Sequence, residues 1–227
     1  MTSEDDIVLS YCDTLLRKSD VALLNKGQWI NDNLIAFWFD YLENEVYKNV
    51  KERVLFISPQ VVHFIKSGTN HESNRSEIEA MVDSCKMNEK QIILLPINDC
   101  LNFDSAGGSH WSLLVFNSWT QVFEHYDSHS GSVNRSHAEQ IVTILYPLLT
   151  PGREIDFDLD LNEMECTQQS NGYDCGIHVI SNADAVCMKI FRNDDRHICE
   201  IASRAVVKEM RQKLIQLISD LKNQASK

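Results

Sequence analysis

The sequence predicts an α+β fold with a central mixed or antiparallel β-sheet. Three apolar segments rich in strand-forming residues follow one another between residues 92 and 126, and around them lie segments whose apolar residues recur at three- and four-residue steps. The 227 residues, of which 43% are hydrophobic, are enough to bury one large core. No repeat, low-complexity tract or long linker divides the sequence, so we predict one domain over residues 1–227.

Capping signals place the helices of the first half. Asn31 or Asp32 can cap a helix whose apolar positions continue to Val46, and Ser58 can cap the next helix with Pro59 at its first position. Trp29, just before the first cap, can pack on the helix start as a hydrophobic staple. The predicted elements are an extended piece and a helical turn over 8–24, a helix over 31–46, a strand over 54–57, a helix over 59–65, a loop over 66–76 and a helix over 77–87.

In the second half, hairpin and turn signals separate the β-rich segments. Residues 117–121 predict a hairpin, and a polar turn over 98–108 ends in two glycines. The predicted elements are strands over 92–97, 111–116 and 122–126, a capped helix over 134–149, a weak strand over 155–159, a helix starting near residue 175 and an amphipathic closing helix over 207–221. We interpret the apolar face of the closing helix as core rather than as a docking surface.

The composition excludes several classes of function. A formal net charge of −12 argues against binding to nucleic acids or anionic membranes, and it suits a basic partner. No stretch of about 18 apolar residues is present, and the acidic N-terminus has no signal-peptide pattern. The seven cysteines are scattered and lack the paired spacings of zinc sites. We therefore expect an intracellular protein with free thiols, in which a conspicuous cysteine is more often catalytic than disulfide-bonded.

Residues 168–176, with the sequence Gln-Gln-Ser-Asn-Gly-Tyr-Asp-Cys-Gly, form a polar loop that runs into an apolar helix. Cys175 falls in the first turn, where unpaired N–H groups and the helix dipole favour a nucleophilic thiolate. Gly176 lets a substrate backbone approach the sulfur, and the side-chain amide of Gln169 can donate to an oxyanion. Taken alone, an Asp-Cys-Gly sequence more often marks a buried cysteine beside a turn, so this interpretation depends on the rest of the chain.

Candidates for the base and for its orienting carboxylate lie on two of the β-rich segments. His110 opens the segment 111–116, and Asp127 follows the segment 122–126. If these strands pair as a hairpin, His110 and Asp127 become neighbours at one edge of the sheet. Each residue is ambiguous by itself, because a histidine beside a tryptophan is often structural and an aspartate before Ser-His-Ser often forms a turn.

Other histidines compete for the same role. His125 lies in the middle of a strand, and His129 lies in a loop without an obvious carboxylate partner. His178, three residues after Cys175, shares a helical face with it and more often packs or caps. His178 makes no recognisable metal spacing with Cys175 and His197, so a zinc site is disfavoured and no metal is expected.

The combined pattern resembles the ubiquitin-like-protein-specific protease family, to which the SUMO proteases belong. The motifs that carry the resemblance are Gly-Gly-Ser-His110-Trp111-Ser-Leu-Leu-Val, His-Tyr-Asp127-Ser and Gln169-x-x-x-x-Asp174-Cys175-Gly176, with 17 residues from His110 to Asp127 and 48 from Asp127 to Cys175. Further stretches are most similar to the deneddylase subgroup, whose members remove the ubiquitin-like neddylation modifier: Val8-Leu9-Ser10-Tyr11, Leu15-Leu16-Arg17, Trp29-Ile30-Asn31-Asp32, Phe56-Ile57-Ser58-Pro59, Ala106-Gly107-Gly108 and Tyr126-Asp127-Ser128-His129-Ser130.

The resemblance implies a papain-like or adenain-like cysteine protease fold, in which a central mixed sheet is flanked by helices and the catalytic cysteine starts a helix. It implies that Cys175 is the nucleophile, His110 the general base and later the acid, and Asp127 the orienting carboxylate. Gln169 and backbone N–H groups near Cys175 would form the oxyanion hole.

The resemblance also implies a substrate that ends in Gly-Gly and passes through a narrow tunnel roofed by tryptophans. Trp29 and Trp111 stand at the matching positions, and flat indole surfaces over a glycine backbone exclude residues with a Cβ. Asp32 would lie near the tunnel mouth and pair with a basic residue of the modifier's tail. With Gly176, these residues make up the predicted substrate-binding set.

The implied activity is that of a thiol isopeptidase which deconjugates the neddylation modifier from lysines, or processes its precursor, without a cofactor. Expected partners are that modifier and its conjugates, such as cullins, with the enzyme a monomer in the cytoplasm, the nucleus or both. The same chemistry on SUMO or ubiquitin is the alternative within enzymes, and a non-catalytic binding module for ubiquitin-like proteins is the alternative of another class. A cysteine-based acyltransferase is disfavoured because no basic patch is spaced to hold the phosphates of an acyl-CoA.

Overall fold

A five-stranded mixed sheet lies at the centre of the structure, a computed structural model that describes residues 6–68, 73–101 and 107–225. The strands of this sheet, in spatial order, are β3 (Val54–Phe56), β4 (Ile92–Asn98), β5 (Trp111–Asn117), β6 (Val122–Tyr126) and β7 (Leu161–Glu163). A separate antiparallel pair near the N-terminus is formed by β1 (Ile7–Tyr11) and β2 (Thr14–Arg17). The prediction of an α+β fold with a central mixed sheet is confirmed.

The helices of the described residues fall on both faces of this sheet. They are α1 (Lys18–Ala22), α2 (Asp32–Tyr41), α3 (Pro59–Ser67), α4 (Ser73–Ser84), α5 (Asn134–Leu149), α6 (Phe157–Asp160), α7 (Cys175–Phe191), α8 (Ile198–Ile201) and α9 (Arg204–Ala225), with a π-helical turn (Leu42–Val46) continuing α2 and 3₁₀ turns at Lys48–Val50 and Met87–Glu89. None of them is both long enough and apolar enough to serve as a membrane-spanning helix.

Strand alternation divides the core into two layers. In β5, Leu113 and Val115 pack with α2, α7 and α9, whereas Leu114 and Phe116 pack with α3, α4 and α5 on the opposite face. Because successive side chains of a strand point to opposite faces, a strand covered by helices on both sides is apolar along its whole length. This explains the continuous apolar runs that predict β4 and β5. The face of α9 formed by Val207, Met210, Leu214 and Ile218 is buried, as predicted for a core helix.

Strand register brings two distant parts of the sequence together. Antiparallel pairing sets Leu113 opposite Tyr126 and Asn117 opposite Val122, with the connecting turn at residues 118–121. The residue before β5 therefore lies beside the residue after β6, at the end of the hairpin opposite to this turn. α7 packs across β5, and its first turn reaches the same end of the sheet.

Several local predictions are confirmed at the level of single hydrogen bonds. Asn31 caps α2, its side chain accepting from the N–H of Leu34 at 3.2 Å, and Ser58 caps α3, accepting from the N–H of Val61 at 3.4 Å. Pro59 occupies the first helical position of α3. The side chains of Asn31 and Ser58 accept from N–H groups that have no partner within the helix, and this fixes where the two helices begin.

Three predictions differ from the structure. The weak strand over 155–159 is wrong, because Asp156 caps the short helix α6 by accepting from the N–H of Asp158 at 3.0 Å, and the strand follows as β7. Helix α5 has the predicted bounds, but Val133 at its N-cap supplies no side-chain cap. The loop over 66–76 is shorter than predicted, since α3 continues to Ser67 and α4 starts at Ser73, and its residues 69–72 lie outside the described residues, as do 102–106 of the turn over 98–108.

Candidate active site

His110 and Asp127 meet at the edge of the sheet as strand register predicts. His110 Nε2 donates to Asp127 Oδ1 at 2.7 Å, and both side chains are about nine-tenths buried. Asp127 also accepts from the backbone N–H of His129 at 2.9 Å and from the hydroxyl of Ser132. Ser132 in turn accepts from the N–H of Asn134, the first residue of α5, at 3.1 Å. The carboxylate of Asp127 therefore accepts three hydrogen bonds, and its Oδ1 faces the imidazole of His110.

These contacts shift the pKa values of both groups toward their charged forms. Burial lowers the pKa of His110, but hydrogen bonds with Asp127 and with Cys175 outweigh burial and raise it to about 9. Burial raises the pKa of Asp127, but the hydrogen bonds from His110 and Ser132 outweigh it, so the pKa of this carboxyl lies below its usual value. At neutral pH the pair is an imidazolium and a carboxylate. A protonated imidazole beside a sulfur atom is a general acid ready for use.

Cys175 is the first residue of α7, as predicted, and is 2% exposed. Asp127 and Cys175 both raise the pKa of the His110 ring, so carboxylate, imidazole and thiol form one interacting series. The first N–H groups of a helix have no partner within the helix, and they point toward the position that a developing negative charge on or near the sulfur would occupy. A cysteine at a helix start beside a histidine is an arrangement suited to nucleophilic catalysis, in which the first N–H groups of the helix can form part of an oxyanion site.

Gly176 is required by packing within the chain. A Cβ at this position would lie 2.5 Å from Cγ1 of Ile30 and 3.5 Å from Cδ1 of Trp111. The start of α7 thus sits directly on the side chain of Ile30 and beside the indole of Trp111. The sequence interpretation gave Gly176 a role toward substrate; the structure adds that this glycine lets the nucleophile, Ile30 and Trp111 approach one another closely.

Long-range hydrogen bonds anchor the loop that leads to Cys175. Asn171 folds the loop on itself: its Oδ1 accepts from the N–H groups of Tyr173 and Asp174 at 3.0 Å each, and its Nδ2 donates to Asp174 at 2.7 Å. Arg211 of α9 donates to Asp174 Oδ1 from two nitrogens, at 2.8 and 3.0 Å. The same guanidinium donates to the carbonyls of Leu23 at 2.8 Å and of Gln28 at 2.7 Å. One largely buried cation therefore ties the loop before Cys175 to the segment before Trp29.

Gln169 lies beside this series with its amide held at both ends. Its Oε1 accepts from the hydroxyl of Ser128 at 2.8 Å, and its Nε2 donates to the carbonyl of Asn171 at 2.7 Å. Gln169 and His110 line the same cavity of about 650 Å³. Because an amide nitrogen carries two N–H groups, one remains for an oxyanion after the bond to Asn171 is made.

Trp29 spans the opening of the site. It is about half exposed, and its indole N–H donates to the carbonyl of Gly172 in the nucleophile loop at 2.6 Å. A staple would bury the ring against α2, whereas this ring reaches across to a segment 143 residues away. Asp32, the first residue of α2, accepts from the side chain of Gln60 at 2.9 Å. The sequence prediction brought Trp29 and Trp111 to one site, and the structure places both against residues that flank Cys175.

Sequence reasoning missed Asp99, which anchors the segment that carries His110. Asp99 Oδ1 accepts from the N–H groups of Ser109 at 2.6 Å and His110 at 3.0 Å, and its Oδ2 accepts from the Ser109 hydroxyl at 2.6 Å. Burial raises the pKa of Asp99, but these hydrogen bonds outweigh burial and lower it. Gly108, with φ of +89°, passes so close to Asn98 that a Cβ there would lie 1.9 Å from its side-chain oxygen. The glycines before His110 were the only available signal of this close approach.

The competing histidines have structural contacts. His125 is fully buried and bonds Glu163 at 2.8 Å and Ser112 at 2.9 Å from its two ring nitrogens. The ring of His129 packs edge-on against that of His110, with centroids 5.8 Å apart. Burial lowers the pKa of His178 to about 4, so this residue is neutral in the core. Within the described residues, no group of three or more His, Cys, Asp or Glu side chains is placed to hold a metal ion.

Residues 28–224 match the model of the Ulp1 protease family, C-terminal catalytic domain. The chain is 40% identical over 217 residues to sentrin-specific protease 8 of Homo sapiens, covering 96% of this chain and 98% of that protein. It is 36% identical over 193 residues to NEDD8-specific protease 1 of Arabidopsis thaliana, covering 82% of this chain and 77% of that protein.

Among solved structures, the chain is similar in fold to the C-terminal Ulp1 protease domain in complex with Smt3, the yeast orthologue of SUMO. The TM-score is 0.66 at 23% identity, and the match covers 97% of this chain and 90% of that one. The match extends over both helical layers and the sheet, and a family match of this length places the Cys175 loop and the His110 strand inside the shared catalytic domain. The chain therefore belongs to the Ulp1 protease family and is a cysteine protease of that family.

Proposed function

We propose that this protein is a thiol isopeptidase which cleaves after the C-terminal Gly-Gly of the neddylation modifier, releasing it from lysine side chains or from a short precursor extension. The observation that carries the proposal is the hydrogen bond of His110 with Asp127, together with Cys175 at the start of α7, which raises the pKa of the same imidazole. The names of the relatives, sentrin-specific protease 8 and NEDD8-specific protease 1, favour this modifier.

The reaction begins with the thiolate of Cys175 paired with the imidazolium of His110. The sulfur attacks the carbonyl carbon of the terminal glycine, and the carbonyl π electrons move to the oxygen, where Gln169 and the N–H groups at the start of α7 stabilise the negative charge. Collapse of this intermediate breaks the carbon–nitrogen bond, and His110 gives its proton to the departing lysine ε-amine. The raised pKa of His110 keeps that proton on the ring until the amine leaves.

The second half of the reaction releases the modifier. His110, now neutral, takes a proton from water as that water attacks the thioester, and the same oxyanion contacts stabilise the second intermediate. Collapse expels the Cys175 thiolate and leaves the modifier with a free carboxylate. Asp127 orients the ring in both halves and stabilises its charged form.

The two indoles and the cavity account for the two sides of the cleaved bond. Trp29 donates to the carbonyl of Gly172 in the loop before Cys175, and Trp111 lies beside Gly176. The proposal places the Gly-Gly tail of the substrate between these two indoles, since flat indole surfaces over a glycine backbone exclude residues with a Cβ. The cavity of about 650 Å³ beside His110 and Gln169 suits the lysine and the substrate segment that leave with it. Asp32 pairs with a basic residue of the modifier's tail in place of its contact with Gln60.

Capture by probes tests the proposal. The purified protein is mixed with the neddylation modifier, SUMO or ubiquitin, each carrying a C-terminal electrophile. We expect rapid covalent capture of the neddylation probe and none in Cys175→Ala, which still binds the unmodified modifier. Capture of the SUMO or ubiquitin probe alone would support the proposed mechanism but show that the substrate is a different modifier. No capture by the folded protein would overturn the enzyme and leave the alternative of a non-catalytic binding module.

Partners and location complete the proposal. We place the enzyme in the cytoplasm, the nucleus or both, and the support for this location is that none of the seven cysteines is in a disulfide. We further propose that the enzyme is a monomer and acts on conjugates such as cullins. Light scattering of the purified chain tests the monomeric state, and fractionation of cells that express it tests the location. Loss of neddylated cullins when active enzyme is added to an extract, but not when Cys175→Ala is added, tests the conjugates.

A further inference from the structure

Two adjacent residues after β6 hold two different parts of the site. Asp127 bonds His110, and the next residue, Ser128, directs its hydroxyl to Gln169 instead. Ser128 is 2% exposed, so water does not compete for its hydroxyl. A second bond joins the same residues through the backbone, since the N–H of Gln169 donates to the carbonyl of Ser128 at 2.8 Å.

The orientation of the Gln169 amide decides whether it can serve an oxyanion. A glutamine side chain has two orientations of nearly equal shape, one that presents N–H groups and one that presents the carbonyl oxygen. The hydroxyl of Ser128 donates to Oε1, and the carbonyl of Asn171 accepts from Nε2. Rotating the amide by half a turn would bring its oxygen against the carbonyl oxygen of Asn171, so Asn171 disfavours that orientation. The bond to Asn171 alone would leave Oε1 without a protein donor in this half-buried site, and the amide would be held at one end only. Ser128 supplies that donor.

We infer that Ser128 is a positioning residue for the oxyanion site: it fixes the amide of Gln169 so that an N–H faces the reacting carbonyl. This inference rests on the proposed function. Ser128 does not touch substrate, and its contribution passes entirely through Gln169. Removing an oxyanion donor lowers kcat by about 10²–10³-fold, and removing only its orientation lowers kcat by about tenfold, since the amide still visits the productive orientation.

A double-mutant cycle measures this directly. Ser128→Ala, Gln169→Ala and the double variant are assayed on the modifier captured in the probe experiment, now carrying a C-terminal fluorogenic amide. We expect kcat to fall about tenfold in Ser128→Ala with KM and the pH profile unchanged, and no further loss when Ser128→Ala is added to Gln169→Ala. The inference would be overturned if Ser128→Ala lowered kcat by the same factor in the wild type and in Gln169→Ala, or if Ser128→Ala alone had the kcat of the wild type.

Matched variants separate positioning from general destabilisation. Ser181→Ala removes another buried serine hydroxyl, which donates to the carbonyl of Ile177 at 2.8 Å within α7, and it should leave kcat unchanged. If Ser128→Ala does not fold, Ser128→Cys keeps the volume with a weaker donor and carries the cycle. Wild-type kcat in Gln169→Ala would sink the oxyanion assignment together with this inference, whereas loss of kcat in Gln169→Ala with additive effects of Ser128 sinks the inference alone.

Discussion

The two halves of the catalytic series are held in place by different forces. His110 and Asp127 flank paired strands, so the ladder from Leu113–Tyr126 to Asn117–Val122 fixes their separation before any side chain contributes. Cys175 follows a loop that has no strand partner, and side-chain bonds from Asn171 and Arg211 hold it. Backbone register therefore positions His110 and Asp127, which we call the strand-held half. Polar side chains from separate parts of the chain position Cys175 and its loop, which we call the loop-held half.

The largest effect is expected from a substitution that removes the His110–Asp127 charge pair without changing the backbone of the two strands. Asp127→Asn keeps the shape of the side chain but offers His110 and Ser132 a neutral amide, so the imidazolium loses its charge partner. We expect kcat to fall by about 10⁴-fold with the circular dichroism spectrum unchanged. The measurement is single-turnover cleavage of a fluorogenic modifier amide. A loss below tenfold would show that strand pairing alone orients His110, and the carboxylate would then have no catalytic importance.

A second change breaks the loop-held half. Arg211→Gln removes the partner of Asp174 and the donor to the carbonyls of Leu23 and Gln28, and both ionic side chains are less than one-fifth exposed. Breaking such a pair leaves a carboxylate without its cation, so the free energy of unfolding should fall by about 3 to 5 kcal/mol, with loss of activity. Urea denaturation measures the first effect.

The matched control for Arg211 is Arg196→Gln, whose guanidinium pairs with Asp194 on the surface. We expect this variant to unfold at the same urea concentration as the wild type, because exposed ion pairs are screened by water. Equal stability of Arg211→Gln and Arg196→Gln would mean that the loop keeps its place without Arg211, and the contrast between the two halves would disappear.

A third measurement uses pH to sharpen the comparison. The pKa of His110 in the folded protein is about 9, above the value of about 6.5 in an unfolded chain, so its stabilising contribution is complete below pH 6.5 and is lost as pH rises through 9. The wild type should lose on the order of 3 kcal/mol of unfolding free energy over this window. His110→Gln should abolish the loss, and Arg211→Gln should keep it. A flat profile in the wild type would refute the charged His110–Asp127 pair.

The sequence predicts the strand-held half better than the loop-held half for a physical reason. Alternation and hairpin signals are local, so the segments 111–116 and 122–126 predict both β-strands and hence the contact of His110 with Asp127. The start of α7 at Cys175 was equally predictable, because a polar loop that runs into an apolar helix is a local signal. By contrast, Arg211 lies 37 residues from Asp174 and 188 from Leu23, and nothing local in the sequence of α9 indicates that its cation reaches either.

The same limit applies to polar residues whose hydrogen-bond partners lie on other segments of the chain. Asp99 and Ser128 look like ordinary turn residues, and their roles appear only when the 107–110 segment and the nucleophile loop are in place. The weak strand over 155–159 failed for a related reason. Its apolar residues alternate with acidic ones, as in a half-buried strand, but the acidic side chains of Asp156 and Asp160 bond backbone N–H groups and fold the segment into a turn of helix.

The smallest expected effect tests how far the strand ladder protects the site. Gln121, in the turn between β5 and β6, has φ of +57°, which costs a non-glycine residue about 1 kcal/mol. Gln121→Gly removes this strain but loses an exposed contact with Arg153 and frees the unfolded chain, so the free energy of unfolding should change by less than about 1 kcal/mol. Because four or more residues of each strand separate the turn from His110 and Asp127, kcat/KM should stay within about twofold. Steady-state kinetics and urea denaturation provide both values. A tenfold loss of kcat/KM would show that the register at the far end of the hairpin sets the catalytic geometry, and the strand-held half would then be the more easily disturbed of the two.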